Sequence, residues 1–142
     1  MLILKENTMK SRILVFSLVL FAGIFLFSCS PSIEKQLPGI WVVEDMEFES
    51  EYELDEQLVE ASKRSQKSIS YELMADNTAR VYTGFTTFES EWLYIKSKNT
   101  VFIIFPGTYD TIELGRFEEG KLVNVEDNPD IRITTVFVKE KK

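Results

Sequence analysis

The chain has 142 residues, enough for one domain and too few for two. It holds no histidine and a single cysteine, Cys29. That removes Ser-His-Asp and Cys-His catalysis, any internal disulfide, and nearly every zinc, copper or haem site. Only enzymes built on carboxylates, Lys or Tyr pass this filter, so the expectation is a non-enzymatic protein without cofactor or metal.

Residues 1–12 are polar and net basic, with Lys5, Lys10 and Arg12 against Glu6. Residues 13–27 are apolar except at Ser17 and Gly23. This run is shorter than the ~20 residues of a spanning helix and has the length of a signal-peptide core. Small or helix-breaking residues follow at Ser28, Ser30 and Pro31, and Met9 opens a tighter version of the same pattern. Leu26-Phe27-Ser28-Cys29 resembles the lipobox of bacterial lipoproteins, with Phe27 departing from the commonest small residue. The resemblance implies cleavage between Ser28 and Cys29, a lipid on Cys29, and attachment to the cell envelope. Ser30 in place of an aspartate favours the outer membrane. The rival readings are an uncleaved anchor and a buried structural cysteine. The division expected is a signal peptide over residues 1–28, a polar tether over 29–37 and one domain over 38–142.

Without the leader, 13 basic residues face 22 acidic ones, a net charge of −9. Such a surface repels nucleic acid and anionic lipid headgroups, so neither is an expected partner.

The domain shows short β-branched and aromatic runs broken by turn residues, the pattern of an all-β sandwich or barrel. A first strand is expected over residues 39–48. A single helix is expected over residues 50–66, with Ser50 and Glu53 at the spacing of a capping box and a thin apolar stripe of Leu54, Leu58 and Ala61, with Val59 beside it. Seven more strands are expected over residues 68–74, 79–85, 88–95, 101–105, 109–117, 121–125 and 131–139. Asp76-Asn77, Lys98-Asn99, Pro106-Gly107, Glu119-Gly120 and residues 127–130 supply the turns. Eight strands joined by short turns make an eight-stranded antiparallel up-and-down barrel with one helix after the first strand, a closed form without free edges.

Gly39-Ile40-Trp41 opens the first strand, and a second tryptophan, Trp92, lies beyond an Ala75-Asp76-Asn77 turn. This order resembles the lipocalin (calycin) superfamily, and in particular the lipocalin-like lipoproteins of Bacteroidetes-type bacteria. The likeness covers nearly all of the chain after the leader. It implies that Trp41 packs across the closed end of the barrel and that an arginine stacks on it, for which Arg132 is the candidate. The second lipocalin motif, a T-D-Y turn, is absent, and the helix replaces an Ω-loop.

Tyr71, Trp92 and Tyr94 are the candidate ligand-lining residues, since an aromatic body with a polar tip suits a small amphiphile. The competing reading is that they fill a small barrel, which then acts as an interaction or inhibitor module for an envelope protein. The acidic run at Glu44–Glu56 lacks the glycine spacing of a calcium loop and reads as solvated surface, and Glu126–Asp130 reads as a turn, which Asx residues make without metal. Glu89 and Glu91, with Asp110 or Glu113, are the weakest candidate, for acid–base work.

Cys29→Ser is expected to move the protein from the membrane to the soluble fraction of its host. Retention in the membrane pellet would identify an uncleaved anchor instead.

Overall fold

The structure is a computed structural model that describes residues 30–141. The expected signal peptide, its cleavage site at Ser28 and the lipid-bearing Cys29 lie outside the described residues. The unit from Ile33 to Lys142 is an eight-stranded barrel preceded by one short helix and interrupted by another. Its strands are β1 Gly39–Glu49, β2 Ser70–Leu73, β3 Thr78–Tyr82, β4 Thr87–Ile95, β5 Thr100–Ile104, β6 Thr111–Glu118, β7 Lys121–Asp127 and β8 Arg132–Lys139. The helices are α1 Ile33–Gln36 and α2 Glu56–Lys67. Each strand pairs antiparallel with the next, and β8 returns to β1, closing the sheet. This is the expected up-and-down barrel.

Period-2 alternation sets which side chains point inward, and two bulges correct its phase. On β1 the register shifts between Val43 and Asp45, so the inward set passes from Trp41 and Val43 to Met46 and Phe48. Glu47 and Glu49 thereby face outward. On β6 the shift falls opposite Val101 and Phe102 and admits Leu114 to the core. Gly115 beside it has φ +149°, and a Cβ there would meet the Val123 backbone at 2.9 Å. Only glycine lets the neighbouring strand come so close.

The turns follow local chemistry. Asn77 and Asn99 take left-handed φ values of 68° and 50°, which asparagine tolerates. Asp76 accepts hydrogen bonds from the amide and hydroxyl of Thr78, which hold its carboxyl below the usual carboxylate range. Thr83 ends β3 earlier than alternation implies: its hydroxyl accepts from the amides of Phe85 and Thr86, and Phe85 stands fully exposed in the loop. Side-chain capture of backbone donors of this kind competes with the strand ladder.

The helix begins later than its capping-box signature implies. Asp55, not Ser50, is the N-cap, accepting from the Gln57 amide at 2.9 Å. Ser50 instead donates to the Asp130 carbonyl at 2.8 Å, joining the end of β1 to the β7–β8 loop. α2 buries none of its residues. Leu58 and Ala61, expected to face the barrel, are exposed; Val59, Lys63 and Gln66 are half-buried instead. The connections on either side of the helix set its roll, and they are not visible in its own periodicity.

The last five residues of the stretch expected to be a tether, 33–37, belong to the barrel unit. Ile33 packs against the core from α1, and Leu37 is wholly buried beneath the strands. Trp41, 1% exposed, lies across the closed end and donates its indole N–H to the Leu37 carbonyl at 2.8 Å. The cation above its ring is Lys139, with Nζ 5.5 Å from the centroid. Arg132, the expected partner, starts β8 at the other end of the barrel, in register with Glu49 and Asp127. Lys139 is opposite Trp41 in the β1–β8 register, so its stem crosses the ring directly. It also donates to the Gln36 carbonyl, and burial lowers its pKa. Gly39 leaves room for that stem, since a Cβ there would approach the Lys139 Cδ to 2.8 Å.

Among the described residues, every member of the core lies between Ile33 and Phe137. Trp41→Ala is expected to lower stability by about 3–5 kcal/mol in denaturant titration. A change below about 1 kcal/mol would contradict the role of this ring as the floor.

Candidate functional site

The interior is filled at one end and hollow at the other. At the floor Leu37, Trp41, Leu73, Val101 and Leu122 are each at most 1% exposed. At the mouth, where β1 ends and β8 begins, a pocket of about 500 Å³ opens beneath α2. Such a volume is within the range of small-molecule sites.

The pocket has an apolar base and a polar upper part. Met46, Tyr71, Leu114 and Phe137 form its base, with Phe48 and Ile69 on the wall. The rings of Tyr71 and Phe137 meet edge to face, 5.8 Å apart at 83°. Asn124 and Thr135 are buried polar residues on the inward faces of β7 and β8. Asn124 donates to the Glu113 carbonyl at 2.8 Å, which fixes its amide while leaving the carbonyl oxygen to the pocket. Above them α2 turns down Ser62, Ser65 and Gln66. Glu126 follows Asn124 on the inward face of β7 and stands at the lip.

Several of these polar groups have no partner among the described residues. Among the described residues, no side-chain hydrogen bond engages the Tyr71 or Thr135 hydroxyl, and Glu126 forms no ion pair. Among the described residues no fully buried polar side-chain atom is left unsatisfied, so the Tyr71 hydroxyl is not sealed in the core, and Tyr71 lines the pocket. Burial of its ring raises the phenol pKa, which keeps the group neutral at physiological pH.

The three aromatic residues singled out from the sequence do not converge. Tyr71 is in the mouth pocket. Trp92 and Tyr94 lie toward the floor and edge a separate cleft with Glu34, Pro38 and Asn77. There the Trp92 indole donates to the Met74 carbonyl at 2.7 Å. The Tyr94 hydroxyl donates to Asn99, whose amide donates to the Phe117 carbonyl. Both side chains therefore bind turns of their own barrel. Sequence reasoning missed Asn124, Thr135 and Glu126. Their signal is an inward-phase row of polar residues along β7 and β8, legible only once strand register is known.

The acidic candidates disperse. Glu89 pairs with Arg80 at 3.1 Å on the outer surface, while Glu113, paired in register with Phe102, lines the mouth pocket, where its backbone carbonyl accepts from Asn124. Among the described residues, no three His, Cys, Asp or Glu side chains are grouped to hold a metal ion.

The geometry defines a class: a closed up-and-down barrel, plugged at one end, with a half-open pocket at the other. No protein-family model, curated protein or solved structure matches the chain.

Tyr71→Phe is expected to leave stability within about 0.5 kcal/mol of the parent, because its hydroxyl forms no hydrogen bond among the described residues. A loss of 1 kcal/mol or more on denaturant titration would place an internal partner on that hydroxyl.

Proposed function

We propose that this protein is a lipid-anchored, non-catalytic lipoprotein of the cell envelope whose lipocalin-like barrel binds a small amphiphilic molecule at its mouth. One observation carries the binding part of the reading: the barrel is hollow where the inward Tyr71 and Thr135 hydroxyls form no hydrogen bond among the described residues. An apolar base of Met46, Leu114 and Phe137 receives the greasy body of a ligand. The Tyr71 and Thr135 hydroxyls and the Asn124 carbonyl oxygen then meet its polar part. Apolar burial supplies the affinity and these few polar groups fix the orientation. The anchoring part of the reading rests on the signal-peptide pattern and the lipobox-like segment ending at Cys29, with the outer membrane favoured by Ser30.

A second reading, an interaction module for an envelope protein, is favoured by the loops at the mouth. Tyr52, Phe85 and Tyr109 all project there and are 67%, 102% and 84% exposed. Exposed aromatic side chains of this kind are common anchors at protein interfaces.

Calorimetric titration with monolaurin, an uncharged amphiphile, separates the two. One molecule is expected to bind per barrel, and Thr135→Trp, which places a large ring in the pocket, is expected to abolish binding while circular dichroism stays that of a folded barrel. Absence of binding in the parent protein would overturn the ligand reading and leave the interaction module. Unchanged binding in Thr135→Trp would move the site away from the mouth.

A further inference from the structure

We infer that the mouth pocket selects amphiphiles with a positively charged head, and that Glu126 is the counter-ion; this rests on the mouth pocket being a ligand site. The β7–β8 register pairs Glu126 with Ile133, in the same inward phase as Asn124 with Thr135 and Leu122 with Phe137. The lip of the pocket therefore carries a carboxylate on its inner side, where sheet alternation in a closed barrel ordinarily puts an apolar residue.

The surroundings leave that charge uncompensated. None of the residues lining the pocket is basic. Arg132, next to Ile133 on β8, belongs to the outward phase and is in register with Glu49 and Asp127. On α2, Lys63 is within 3.9 Å of Glu60, while Arg64 and Lys67 are exposed and do not line the pocket. The barrel as a whole is strongly acidic, so its long-range field has the same sign.

A fatty-acid carboxylate drawn in by its apolar chain would bring a second negative charge to Glu126 at the lip. An alkylammonium head in the same place gains an opposite charge instead. The hydroxyls of Tyr71 and Thr135 and the Asn124 carbonyl oxygen can each accept a hydrogen bond, so a primary amine would also find acceptors below the carboxylate. Because Glu126 is exposed, the attraction is that of a partly screened pair, large enough to rank ligands and too small to hold one without the apolar pocket.

The test uses the purified protein and three twelve-carbon probes below their micelle concentrations: dodecyltrimethylammonium, monolaurin and laurate. The expected order of affinity is cation above neutral above anion, with about fivefold between the first two at low salt and a smaller ratio at high salt. In Glu126→Gln the cation is expected to fall to within about twofold of monolaurin measured on the same variant. Laurate binding as tightly as the ammonium, or a cation preference that survives Glu126→Gln, overturns the inference while leaving a neutral-ligand site intact. If none of the three probes binds, the ligand-binding reading falls with it.

Discussion

The hydrogen bond from the Trp41 indole to the Leu37 carbonyl decides which end of this barrel is shut. A closed sheet of eight strands has two equivalent openings in principle, and its interior is barely wide enough for side chains. Here the chain passes under one opening before it enters β1, and the largest inward side chain lies over that passage. Lys139 completes the cover from the last strand, its cation on the outer side of the ring. The first and last strands thus meet at the floor, where the Glu140 amide also bonds the Ile40 carbonyl at 2.7 Å. Closure of the sheet and closure of its end are a single set of contacts.

The pocket at the other end follows from what the plug leaves undone. Inward positions near the floor are occupied by Leu37, Trp41, Leu73 and Trp92, with little space between them. Toward the mouth the inward set turns smaller and more polar, through Asn124 and Thr135. The bulge on β1 matters here, because without its phase shift Met46 and Phe48 would point outward and Glu47 inward. α2 does not fill the opening, since it presents serines and a glutamine to it and keeps Leu58 in water. A helix with no buried residue gains little from packing, and it depends on its Asp55 cap and on the connections at its two ends.

Much of the architecture was legible from residue pattern alone. Alternation in segments such as residues 69–73, together with Asx and glycine turns, was enough for the strand count and the closed barrel. G-x-W identified the buried tryptophan, because glycine and a large ring are needed together where a lysine stem crosses. The failures share a cause: they required knowledge of which segments become neighbours. Ser50 has a good capping signature, but the β7–β8 loop offers its hydroxyl a carbonyl eighty positions away. Arg132 is the right chemical type for a ring partner, yet β8 runs antiparallel to β1 and delivers Lys139 there instead. Pro38 and the polar residues before it read as a leash, and nothing local shows that Ile33 and Leu37 are claimed by the core. Register likewise hid the pocket, since Glu126 is an unremarkable member of an acidic turn until its phase is known.

The entry of the chain beneath the floor has a mechanical consequence. Tension applied through the N-terminus acts first on α1, then on the Leu37 side chain and the indole contact above it. Only after these yield does load reach the pairing of β1 with its two neighbours. The far rim of the cylinder, where the hollow lies, is the last part to feel the pull. A barrel hung from this end would keep its opening undistorted while its base bears the strain.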